Sequence, residues 1–128
     1  MPTVLIVDDY PAVRGAIRAG LARYSEFSVC GEAADGADAI EKATTLKPDF
    51  ILLDLAMPGM NGMEAAPILK RLMPTVLIVA FSMYGELLGR SLPSTIGIDA
   101  VIDKLAGIEK VMECARNLLG VATNLTSG

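Results

Sequence analysis

Short apolar runs in this chain stop at residues able to do chemistry. Val4-Leu5-Ile6-Val7 stops at Asp8 and Asp9, Ile51-Leu52-Leu53 at Asp54, the run ending in Ala80-Phe81 at Ser82, and Ala100-Val101-Ile102 shortly before Lys104. Each residue has a plain structural alternative. Asp8 and Asp9, ahead of Tyr10-Pro11, could cap a helix, Asp54 could open a turn into Met57-Pro58-Gly59, Ser82 could cap a helix and Lys104 could be solvated. As a set they read differently, because three acids at one sheet edge repel one another unless a cation lies among them, and carboxylate oxygens are what Mg²⁺ accepts. The set therefore predicts a Mg²⁺ site that keeps several waters and has room for a phosphoryl oxygen. There Asp54 is placed as a nucleophile toward a phosphoryl group and Asp8 with Asp9 as the metal-holding pair. Lys104 would ion-pair with Asp54 or its phosphate, and the Ser82 hydroxyl would donate to a phosphoryl oxygen.

That chemistry requires elements that bring the run ends to one rim. The apolar runs at residues 3–7, 27–32, 50–55, 75–81 and 100–102 are short and rich in β-branched residues, and turn formers bound them. Val4-Leu5-Ile6-Val7, Ile51-Leu52-Leu53 and Val76-Leu77-Ile78-Val79 are continuously apolar where an exposed strand would alternate, as strands buried on both faces of a parallel sheet require. Between them, residues 12–23, 36–46, 63–72 and 107–119 carry apolar side chains at helical spacing; Ile108, Val111, Met112, Ala115 and Leu119 form one stripe. Pro11 suits a first helical turn, with Asp9 or Tyr10 near the cap, and Pro48 and Pro74 close loops that lead into strands. Gly85, Gly89, Pro93 and Gly97 crowd residues 83–98, so a short helix followed by an irregular loop is expected there. The order is β-α repeated five times, a doubly wound α/β domain with a five-stranded parallel sheet and helices on both faces. In such sheets ligands bind beyond the carboxyl ends of the strands, where the five residues fall.

Composition narrows the function. At 128 residues and 52% hydrophobic content the chain fits one domain, read as residues 1–119 with a small, polar tail or linker start at 120–128. Fifteen acids against eleven bases give a net charge of −4, which argues against gripping a nucleic-acid backbone. There is no His, so the commonest neutral-pH acid/base and zinc ligand is missing. Cys30 and Cys114 stand far apart in no ligand-like spacing and read as free thiols in a reducing compartment. With no signal-peptide pattern and no apolar stretch near the ~20 residues that cross a bilayer, the expected location is the cytoplasm, away from membranes. The glycines at 15 and 20 have phosphate-loop spacing but lack the Lys that should follow, and Met57, Met60, Met63 and Met73 read as loop anchors and core.

At the acid pair, at the run Asp54-Leu-Ala-Met-Pro-Gly-Met-Asn-Gly62 and at Asp103-Lys104, the sequence resembles the receiver domain of two-component response regulators, over nearly its whole length. The resemblance implies a flavodoxin-like three-layer sandwich whose Asp54 accepts a phosphoryl group from the phosphohistidine of a sensor kinase or phosphotransfer protein. It implies Mg²⁺ held by Asp9, Asp54 and the backbone carbonyl of Ala56, with Asp8 acting through water, and Ser82 and Lys104 as switch hydroxyl and active-site lysine. The stretch Val29-Cys-Gly-Glu-Ala-Ala-Asp-Gly36 resembles receivers that precede a DNA-binding helix-turn-helix output domain; homodimerisation stays open. The chain departs from the pattern where phosphorylation is read out. Val101 stands where a switch Tyr or Phe is usual, Leu105 follows the lysine where Pro is usual, so the cis X-Pro bond cannot form, and the 83–98 segment is rich in Gly and Pro. Two other readings remain. One is a degenerate receiver that acts only as an interaction module. The other is a Mg²⁺-dependent phosphatase with an aspartyl nucleophile, against which stands Ala56 where a second acid is wanted; a cobalamin carrier would need a His.

Overall fold

Alternate residues of each apolar run face opposite sides of one sheet. In a computed structural model, which describes residues 2–24, 26–83 and 96–119, the five strands are β1 (Thr3–Val7), β2 (Ser28–Ala33), β3 (Phe50–Leu53), β4 (Leu77–Ser82) and β5 (Ala100–Asp103). They pair in parallel in the order β2-β1-β3-β4-β5. Among the described residues the helices are α1 (Pro11–Leu21), α2 (Gly36–Leu46), α3 (Gly62–Leu72) and α4 (Ile108–Leu119), and a 3-10 turn, Lys104–Ala106, leads into the last. Val4 and Ile6, Phe50 and Leu52, and Val79 and Phe81 pack with Ile17 and Leu21 of α1 and Val111, Met112 and Ala115 of α4. Leu5 and Val7, Ile51 and Leu53, and Ile78 pack with Ala39 and Ala43 of α2 and Ala65, Ala66 and Leu69 of α3. Burial on both faces is why the runs could be continuously apolar. The doubly wound α/β expectation holds, with three layers.

Local signals set the element ends. Pro11 opens α1 behind Tyr10, whose side chain makes no capping bond. Asp35 caps α2 by accepting from the Asp38 N–H, and Lys47 ends it in the left-handed region at φ 50°. Asn61 and Glu64 close a reciprocal capping box at the start of α3. Two strands are shorter than the apolar runs suggest. β3 ends at Leu53 because β1, its neighbour, gives out at Val7; β4 starts at Leu77 because the Val76 N–H turns back to the Met73 carbonyl. The short helix expected within residues 83–98 and the tail at 120–128 fall almost wholly outside the described residues. Cys30 and Cys114 are free thiols, as expected. Among the described residues no helix is long and apolar enough to cross a membrane.

Candidate functional site

The sheet changes winding direction between β1 and β3, and the strand-end residues meet at that crevice. Val7 pairs with Leu53, so Asp8 and Asp54 are the first residues beyond the paired ends. The ladder carries both outward: the Asp54 N–H donates to the Val7 carbonyl at 2.9 Å and the Asp8 N–H to the Ala33 carbonyl at 3.0 Å. Both carboxylates are buried, Asp8 at 1% and Asp54 at 5% exposure. Ser82 is buried at the end of β4, opposite Asp103 in the register with β5.

Lys104, just past β5, reaches back across the rim. Its Nζ lies 2.8 Å from Asp8 Oδ2 and 3.4 Å from Asp54 Oδ2. The expected pairing with Asp54 is thus present, but Asp8 is the nearer partner. The remaining oxygens face backbone donors: Asp8 Oδ1 accepts from the Tyr10 N–H at 3.0 Å and Asp54 Oδ1 from the Ala56 N–H at 3.2 Å. Burial pushes the Asp54 carboxyl above its ordinary pKa, against the Ala56 hydrogen bond and the Lys104 charge. Burial also works against the Lys104 ammonium, but the hydrogen bond to Asp8 and the charges of Asp54 and Asp8 outweigh it and raise its pKa.

Asp9 decides what the crevice can hold. Its Oδ1 is the only buried side-chain oxygen without a hydrogen-bond partner among the described residues. Carboxylate oxygens of Asp8, Asp9 and Asp54 lie within 4.8 Å of one another. Lys104 pairs with two of the three acids, Asp8 and Asp54, and an uncompensated buried carboxylate oxygen on the third is costly. A hard divalent cation with oxygen ligands answers both deficits, so these residues fit Mg²⁺.

The loop from Asp54 to α3 is drawn tightly under the site. A Cβ at Gly62 would sit 2.3 Å from the Asp54 carbonyl oxygen and 2.9 Å from Leu55 Cα, so the helix can start here only with glycine. Met60 anchors the loop to α2, its carbonyl accepting from the Gly36 N–H at 2.8 Å, and Met57 is buried. Val101 lies half-buried in β5, paired with Ala80, and Leu105 is 81% exposed on the 3-10 turn. The described residues contain no cis peptide bond.

Sequence reasoning missed one group that touches the site. Arg14 of α1 donates from Nη1 to the Asp8 carbonyl at 2.7 Å and from Nε to Glu32 of β2 at 3.0 Å. The available signal was Arg14 and Arg18 one helical turn apart, two like charges on one stripe that need a shared acid.

Comparison with known proteins decides the family. The profile described as "Response regulator receiver domain" matches residues 4–116. The chain belongs to that family. A receiver is the phosphoryl-accepting, signalling domain of two-component systems, and the resemblance read from the sequence holds. The receiver is 41% identical over 115 residues to the response regulator protein VraR of Staphylococcus saprophyticus, covering 88% of this chain and 54% of VraR. It is 42% identical over 81 residues to the nitrate/nitrite response regulator NarL of Escherichia coli, covering 63% of this chain and 38% of NarL. The chain thus spans about half the length, or less, of the curated relatives it matches. Among solved structures, the response regulator domain of Thermotoga maritima CheB superposes with a TM-score of 0.81 at 28% identity, covering 94% of this chain and 97% of that one. T. maritima TrrA, solved in complex with Mg²⁺-BeF, gives 0.82 at 25% identity, covering 92% and 99%.

Proposed function

We propose that Asp54 is the phosphoryl acceptor of this receiver and that Asp8, Asp9, Asp54 and the Ala56 carbonyl hold a Mg²⁺ ion beside it. The observation that carries the reading is the unpartnered Asp9 oxygen beside two buried carboxylates that share one lysine. In the reaction an Asp54 oxygen forms a bond to phosphorus as the P–N bond of a partner's phosphohistidine breaks, and the electron pair leaves with the imidazole nitrogen. Mg²⁺ supplies neutralisation of charge on the phosphoryl oxygens when bound. The chain's own groups orient the nucleophile: the Ala56 N–H fixes Asp54 Oδ1, which leaves Oδ2, now facing Lys104, as the oxygen for phosphorus. Lys104 then pairs with the phosphoryl group, and Ser82 at the end of β4 donates its hydroxyl. The domain catalyses its own phosphorylation in this reading and turns over no small substrate.

None of these 128 residues is a histidine, so the phosphohistidine comes from outside this domain, in this reading from a sensor kinase or phosphotransfer protein of the cytoplasm. The lengths of VraR and NarL support a second region beyond the receiver, which spans residues 1–119 with 120–128 starting a linker; a DNA-binding output is the natural candidate. Val101 occupies the switch-aromatic position, and its small side chain blunts the coupling from Ser82 to β5. Calorimetric titration tests the site: Asp9→Ala should weaken Mg²⁺ binding at least tenfold, and an affinity equal to wild type would remove the metal assignment.

A further inference from the structure

The Asp8–Asp9 corner is held from outside the crevice by a charged pair. We propose that Arg14, braced by Glu32, is a positioning residue that fixes this corner so that Asp9 meets the metal, a role that rests on the Mg²⁺ reading above. The Asp8 N–H is secured by the β2 ladder, but its carbonyl lies beyond the last pair of β1. Arg14 Nη1 supplies that carbonyl with a donor at 2.7 Å, while its Nε is tied to Glu32 Oε1 at 3.0 Å. The other Glu32 oxygen accepts from Arg18 Nε at 2.8 Å, and the Glu32 carbonyl accepts from Lys42 of α2. The Glu32 carboxylate is thus shared by two arginines of α1, and its backbone is tied to α2 as well as to the sheet, which makes it a fixed anchor for Arg14. The hydrogen bonds from Arg18 and then Arg14 hold its carboxyl below the usual glutamate range. A planar fork with separated donors is needed to bridge a carbonyl and a carboxylate at once, which lysine cannot reproduce. The peptide whose carbonyl Arg14 holds joins Asp8 to Asp9, so its orientation sets where the unpartnered Asp9 oxygen points.

The proposal and plain electrostatics predict opposite signs. Arg14 is a cation close to a cation site; if charge alone mattered, removing it would tighten Mg²⁺ binding. If it positions Asp9, removing it weakens binding, by about tenfold as for groups that orient metal ligands. The experiment is an amide NMR titration with MgCl₂ on the whole chain, which reads affinity and fold in one spectrum. Arg14→Met should bind about tenfold more weakly and Arg14→Lys, which keeps the charge, should recover only part of the loss. Arg14→Met combined with Glu32→Gln should match Arg14→Met within about twofold, since the brace has nothing left to hold. Tighter or unchanged binding in Arg14→Met overturns the proposal, as does a double variant restored to wild-type affinity by charge balance. If Arg14→Met does not give a folded spectrum, full wild-type affinity in Arg14→Lys overturns it equally. A wild-type chain that binds no Mg²⁺ sinks the reading of the site itself, and the clamp with it, whereas a normal wild type with unaffected variants sinks the clamp alone.

Discussion

Replacing Lys104 by Met removes the ammonium that pairs with Asp8 and Asp54 and keeps much of the apolar stem. Its Nζ lies 2.8 Å from Asp8 Oδ2 and 3.4 Å from Asp54 Oδ2, and these carboxylates are 1% and 5% exposed. Taking one partner from a fully buried ion pair costs about 3–5 kcal/mol. The Lys104 side chain keeps 14% of its surface in solvent and water can reach the rim, so the lower end, about 3 kcal/mol, is expected without metal. For a domain of this length that is a fall in Tm of about 10 °C. The assay is urea unfolding followed by circular dichroism at neutral pH, first in a chelator and then in MgCl₂. With the ammonium gone the acids bind Mg²⁺ more tightly, so the ion should stabilise the variant more than the wild type. At ten times the dissociation constant the gain is about 1.4 kcal/mol. A metal-free variant within about 0.5 kcal/mol of wild type would refute the reasoning, on the scale expected for surface changes. So would Mg²⁺ that stabilises the wild type more than the variant.

Two further substitutions test the frame around the site. Gly62→Ala drives a Cβ into the Asp54 carbonyl and should cost about 3 kcal/mol in urea unfolding, whereas Gly15→Ala, with open space around its Cβ, should be neutral or stabilise by up to about 1 kcal/mol; equal effects would refute the close approach. Glu32 has a lowered pKa, so its contribution is present above its unfolded-state value and is lost as pH falls through the folded one. Glu32→Gln should therefore be less stable than wild type at neutral pH, by about 0.5–1 kcal/mol for so exposed a pair, with the gap closing in acid; a gap that widens in acid would reverse the sign.

Much of the fold was legible because both sheet faces are covered, which leaves Val4 to Val7 and Ile51 to Leu53 unbroken by polar residues and separates them from the helices. The candidate site was legible for the same reason: Asp8, Asp9, Asp54 and Ser82 are conspicuous where such runs stop. Contacts that depend on side-chain reach were not. Lys104 and Asp8 are 96 residues apart and follow strands that are not neighbours, so only the folded rim reveals that they pair. Gly62 showed itself as the end of a family motif, but its cause, the Asp54 carbonyl beneath it, is a matter of backbone proximity. Arg14 was hidden because its acid, Glu32, comes from the edge strand.

Locating the phosphoryl group tests the central claim most directly. The whole chain, incubated with a small phosphodonor and MgCl₂, is treated with borohydride, which reduces an aspartyl phosphate to homoserine, and is mapped by tandem mass spectrometry. The predicted result is homoserine at residue 54, absent without Mg²⁺ and absent in Asp54→Asn. Homoserine at residue 8 or 9, or an unmodified wild-type chain, would contradict the account.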